Sequence, residues 1–137
     1  MPLNRKYAVL MSGSGSEMSK FSTEVRGDSY YGYTDGLHTF QITYEQFVGR
    51  LRIQASLIVE PGDNDWFDIV PQSTTGKAFN TAGFVQFNSD DPADKSEAYT
   101  FRGNFAWVRA YMDRTHIGDG VTYDPSYGQV TRIILSA

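Results

Sequence analysis

A chain of 137 residues suffices for one domain with a sizeable core, and a net charge of −4 without any run of Lys or Arg excludes a dedicated nucleic-acid binder. Cysteine is absent, which excludes disulfides, thiolate metal sites and cysteine nucleophiles. Aromatic residues reach 15% (nine Tyr, nine Phe, two Trp), a share that favours β-structure, while only 20% of residues are charged, so the surface must rely on Ser, Thr, Asn, Gln, Gly and Tyr.

The start Met-Pro-Leu-Asn-Arg-Lys has no adequate apolar run behind it, so no secretory signal is expected. No stretch approaches the roughly 18 apolar residues of a membrane span. The expectation is a soluble chain made in the cytoplasm. Tyr7-Ala8-Val9-Leu10-Met11 reads as a first strand, followed by a flexible connector, Ser12-Gly13-Ser14-Gly15-Ser16, too short to separate domains. Residues 19–26 alternate, with Phe21, Thr23 and Val25 on one face. Residues 1–29 are expected to form an N-terminal strand region of the same domain. A Gly/Tyr-rich loop over 27–36 carries Tyr30, Tyr31 and Tyr33. A strand over 37–44 has Phe40, Ile42 and Tyr44 in phase.

The clearest signal is residues 51–59. Leu51, Ile53, Ala55, Leu57 and Val59 alternate with mostly polar neighbours, the pattern of a long strand with one buried face. The turn cluster Glu60-Pro61-Gly62-Asp63-Asn64-Asp65 follows, then a shorter strand over 66–70. Residues 71–82 read as a loop, 84–87 as a strand, 88–92 as a turn and 98–101 as a strand. Residues 105–113 place Ala106, Val108, Ala110 and Met112 on one face and Phe105, Trp107, Arg109 and Tyr111 on the other, as in a central strand covered on both sides. Residues 116–128 form a loop, and 130–135 a closing strand. Eight or nine strands between polar turns, with no capped helical period, predict a single-domain all-β fold: an antiparallel β-sandwich, jelly-roll-like.

Chemical motifs are sparse. His38 and His116 belong to no metal-ligand pattern, and a hydrogen-bonded strand-end role is the expectation for His38. Asp63, Asp65 and Asp68 suggest a calcium loop, but the Gly lies outside it and no Glu closes it, so turn chemistry is expected first. Asp90, Asp91 and Asp94 read as a solvated turn. The Gly-Ser connector lacks the Lys of a phosphate loop, and no triad order or nucleophile elbow is present, so no enzyme and no cofactor are expected. Tyr30, Tyr31 and Tyr33 can pack at a subunit contact or offer flat faces to sugar rings. With Trp107 and Tyr111 they form the candidate interface or ligand surface. Trp66 and Trp107, placed within strands, suit core or interface. Asp68 and Arg109 are candidates for a cross-strand pair.

Tyr30-Tyr31-Gly32-Tyr33-Thr34-Asp35-Gly36-Leu37-His38-Thr39 is followed by Phe47-Val48-Gly49-Arg50-Leu51-Arg52-Ile53-Gln54-Ala55-Ser56-Leu57, by Asp65-Trp66-Phe67-Asp68-Ile69, and by Phe101-Arg102-Gly103-Asn104-Phe105-Ala106-Trp107-Val108-Arg109-Ala110. In order and spacing this set resembles small virion structural proteins of tailed phages, especially those of marine cyanobacteria, over residues 30–135. The resemblance implies a particle component (decoration, neck, tail or fibre-associated), located in the virion after synthesis in the host cytoplasm. Its expected partners are other virion proteins and further copies of itself, with no nucleic acid and no membrane. The alternative is a jelly-roll module that binds host-surface glycans.

Overall fold

In the computed structural model, which describes residues 7–26, 37–75, 77–87, 94–103 and 105–136, the alternation of the sequence becomes alternation of burial. Eleven strands occur among these residues: β1 (Tyr7–Met11), β2 (Ser19–Phe21), β3 (Val25–Arg26), β4 (Leu37–Glu45), β5 (Gly49–Ser56), β6 (Phe67–Ile69), β7 (Gln72–Ser73), β8 (Val85–Phe87), β9 (Asp94–Arg102), β10 (Trp107–Asp113) and β11 (Gln129–Ser136). Single 3-10 turns at Asp63–Asp65 and Pro125–Tyr127 are the helical elements described.

The strands form two antiparallel sheets. The first has the order β1-β11-β4-β9-β7; the second has β2-β10-β5-β6, with β3 also on β10 and β8 also on β5. The main strands alternate between the sheets along the chain, so the ribbon wraps the core as a jelly roll does. The expected β-sandwich is therefore the observed fold. Phe40, Ile42, Tyr44, Tyr99, Phe101, Ile133 and Leu135 of the first sheet pack against Leu51, Ile53, Ala55, Val85, Phe87, Val108, Ala110 and Met112 of the second, all buried. Phe47 and Phe79 are buried with them from the connections.

The structure corrects several strand readings. Residues 19–26 are two strands, not one. Between the Phe21–Tyr111 and Val25–Val108 pairs, three residues (Ser22, Thr23, Glu24) stand opposite two (Arg109, Ala110). This bulge reverses the facing, so Phe21 is exposed while Val25 packs on the core. The strand expected over 51–59 ends at Ser56, whose hydroxyl accepts the Ile58 amide at 3.1 Å and turns the chain. Leu57 is consequently 64% exposed, although its parity matches Ile53. Phe105 precedes β10 and packs on the core instead of joining the Trp107 face. The loop over 71–82 contains β7, and β9 begins four residues before the expected start at Ala98.

The Gly-Ser connector is pinned, not free. The Ser14 amide donates to the Val130 carbonyl, and the Ser14 hydroxyl accepts the Val130 amide, both at 2.9 Å. Next to it Arg114 is fully buried, with no carboxylate among the described residues in hydrogen-bond contact. Its guanidinium donates to the carbonyls of Gly15, Glu17, Tyr127 and Gly128 and lies 4.9 Å from the Tyr123 ring. Burial lowers its pKa, but a guanidinium remains charged at any working pH. One side chain thus fastens the 12–18 segment and the 123–128 loop to the end of β10.

Candidate contact face

The inner face of the second sheet is apolar, so alternation sends Arg50, Arg52, Gln54, Trp107, Arg109 and Tyr111 to its outer face. The pairings Tyr111–Arg52 and Arg109–Gln54 set these residues side by side. The bulge between β2 and β3 brings Phe21 onto the same face, where its ring stacks on Tyr111 with centroids 4.3 Å apart. The sequence places Trp66 within a strand; it instead closes the 3-10 turn at Asp63–Asp65, and β6 begins one residue later.

Arg109 organises the centre. Its guanidinium lies 4.3 Å from the Phe21 ring and 4.1 Å from the Trp66 ring. Its Nε donates to Gln54 Oε1 at 2.8 Å. Gln54 Nε2 in turn donates to Asp68 Oδ1 at 3.0 Å, and Asp68 Oδ2 pairs with Arg52 at 2.8 Å. Burial lowers the Arg109 pKa against the opposing pull of Glu24 and Asp63, and the group stays cationic. The Asp68–Arg109 pair expected from the sequence is not formed. Gln54 stands between them, and Asp68 takes Arg52 instead.

Of the sequence candidates, Trp107 and Tyr111 lie on this face, both half-buried. Trp107 donates its indole N–H to the Val59 carbonyl at 2.7 Å, which draws residues 57–59 to the end of the face. Tyr30, Tyr31 and Tyr33 lie outside the described residues, as do Asp90 and Asp91. Phe21, Trp66 and Arg109 are the residues that strand reading missed as a group. The sequence carries no signal for it, because the alternation over residues 19–26 is unbroken and the bulge shows only in the pairing with β10.

The remaining polar candidates have structural partners. Asp65 Oδ2 accepts the Gly62 amide at 2.7 Å, a turn contact, and Asp68 is committed to Gln54 and Arg52. Among the described residues no three His, Cys, Asp or Glu side chains converge on one point. His38 is fully buried in β4. Its Nε2 donates to the Gly103 carbonyl at 3.1 Å, and its ring stacks on Phe101 at 4.8 Å. Nδ1 has no partner among the described residues. Glu97 is also buried, and accepts hydroxyl hydrogen bonds from Tyr44 and Thr75. The nearby Tyr99 hydroxyl is raised in pKa by burial and by the Glu97 charge.

No protein-family model and no curated protein matches the chain. Among solved structures, the chain is similar to a family 29 carbohydrate-binding module from Piromyces equi, at 11% identity and a TM-score of 0.39, over 98% of this chain and 93% of that one. At that similarity no residue or ligand of the module transfers to this chain.

Proposed function

We propose that this chain is a non-enzymatic jelly-roll module that works through protein–protein contact, as a structural component of a tailed-phage particle. The observation that carries the contact role is the Arg109 stack between Phe21 and Trp66. Trp, Tyr and Arg dominate the energetics of protein interfaces. Here they are already ordered by one another, so little side-chain freedom is lost on docking. Exposed apolar groups adjoin them: Phe21 itself, and Leu57, Ile58 and Val59 at the Trp107 end.

The sheet edges argue for a face and against strand addition. In the second sheet both outer positions are split into short strands, β2 with β3 and β6 with β8. In the first sheet one edge is the two-residue β7, and the other, β1, carries a register break between Val9 and Met11. Short and bulged edges resist pairing with a foreign strand. The phage-particle assignment is supported by the sequence resemblance over residues 30–135. The occupants of the face would be other virion proteins or a second copy of the chain.

Sedimentation velocity of the isolated protein, with co-sedimentation on purified phage particles, tests the reading. The expected result is a self-associated species or particle binding, either of them weakened by Arg109→Ala and Trp66→Ala. A strict monomer that fails to bind particles overturns it.

A further inference from the structure

An open cleft of about 500 Å³ lies where the β4–β5 connection meets the 123–128 loop and the Gly15–Ser16 turn. Small-molecule sites fall in the range of about 300–1,000 Å³. The polar lining consists of Ser16, Glu45, Gln46 and Gln129, and the flat apolar lining of Tyr123 and Pro125. Glu45 and Gln129 are direct partners across β4 and β11, so their side chains leave the sheet on the same side.

Three features set this lining apart from the contact face. The four polar side chains have no hydrogen-bond or ion-pair partner among the described residues, whereas Arg109, Gln54 and Asp68 satisfy one another. Gln46 holds φ at +50°, the one non-glycine positive φ among the described residues. Strain of this kind persists only where the surroundings enforce it, and it concentrates at ligand sites. The enforcement is visible. Gly128 sits against the backbone, where a Cβ would come within 2.2 Å of the Gln46 carbonyl, and Arg114 holds the carbonyls of Gly15 and Gly128 from beneath.

The donor set selects the ligand. The described lining carries one carboxylate, too few for a divalent cation, which wants six or more oxygens. Among the described residues an anion finds no free cation in the lining, because Arg114 is buried and committed to carbonyls. Two amides each offer donors and acceptors, a carboxylate accepts twice, and a hydroxyl does both. That pattern matches adjacent hydroxyl groups, and the exposed Pro125 ring, beside a Tyr123 ring already packed by Arg114 and Tyr127, matches the apolar face of a sugar ring. We propose that the Glu45–Gln46–Gln129–Tyr123 cleft binds a neutral saccharide. This inference is independent of the contact-face reading.

The test is a two-dimensional ¹H–¹⁵N NMR titration of the full chain with neutral oligosaccharides of glucose, mannose, galactose and N-acetylglucosamine at millimolar concentration. One of them should shift the resonances of Gln46, Tyr123, Gly128 and Gln129 together. Gln129→Ala and Gln46→Gly should each weaken binding roughly tenfold, the loss of one ligand hydrogen bond. Glycine accepts the positive φ at position 46, so that variant removes the side chain without disturbing the fold. Three outcomes overturn the proposal: no saccharide shifting these resonances, shifts confined to the Trp107–Tyr111 face, or binding unchanged in both variants. Calcium, inorganic phosphate and a proline-rich peptide are titrated alongside. Shifts at the same residues from one of these, and not from a sugar, overturn the ligand class.

Discussion

The Arg114 guanidinium lies 2.8 Å from the Gly128 carbonyl, the shortest of its four carbonyl contacts. Among the described residues no other side chain donates to carbonyls of both loops at this end of the sandwich. Removing it leaves the Gly15 and Glu17 carbonyls without their donor, at about 1–3 kcal/mol each, while the Tyr127 and Gly128 carbonyls keep the Val48 amide and the Tyr123 hydroxyl. Arg114→Met should therefore destabilise the protein by about 3–5 kcal/mol, read as a lower urea midpoint at unchanged slope. Arg114→Lys should recover little, because an ammonium cannot span the positions that the guanidinium fork reaches. A loss below about 1 kcal/mol in both variants contradicts the clamp.

Ile53 and Leu57 share sequence parity but not environment. Ile53 is 1% exposed between the sheets, and Leu57 is 64% exposed beyond the end of β5. Ile53→Ala should cost about 2–5 kcal/mol. Leu57→Ala should stay within about 0.5 kcal/mol, as surface substitutions do. Equal costs would show that the strand continues past Ser56.

This pair also marks how far the sequence is legible. Period-two patterning reports burial only while the backbone stays extended, so it located the inner faces of β4, β5 and β10. It was blind to the hydroxyl-capped turn at Ser56, which leaves the apolar pattern of residues 57–59 unchanged. The bulge at Ser22, Thr23 and Glu24 hid the contact face, because one extra residue reverses every later side chain. Arg114 was within reach: it continues the parity of Val108, Ala110 and Met112 and so points inward. Its charge argued against burial, and the carbonyls that satisfy it come from residues 15–17 and 127–128, a convergence that no local pattern encodes. The cleft is of the same kind, since Glu45 and Gln129 become neighbours only through the β4–β11 pairing.

On the contact face, Arg109 and Trp66 should be energetically coupled. A guanidinium 4.1 Å from an indole ring and largely withdrawn from water is worth about 0.5–2 kcal/mol. A double-mutant cycle of Arg109→Ala and Trp66→Ala, measured by urea unfolding, should return a coupling in that range. Additive costs would show that the two groups are adjacent without attraction, and the case for a pre-ordered face would lose its centre.

The 113–128 loop should loosen in acid. Asp119 accepts the amides of Val121 and Thr122 at 2.9 and 2.7 Å, and Asp124 accepts the Ser126 amide at 2.9 Å. These hydrogen bonds favour the ionised carboxylates and lower both pKa values below the ordinary 3.8. A group depressed in the folded state releases its proton more readily there than in the opened loop. Its stabilising contribution is therefore complete above the ordinary carboxylate range and is lost as pH falls through the depressed value. Both carboxylates are exposed, so the effect is local. Hydrogen-exchange protection of the Val121, Thr122 and Ser126 amides should be level above about pH 5 and should fall below that range. Asp119→Asn keeps an acceptor oxygen but cannot titrate. It should remove the pH dependence at Val121 and Thr122 while leaving it at Ser126. Protection that is independent of pH in the parent protein would show that these carboxylates do not hold the loop.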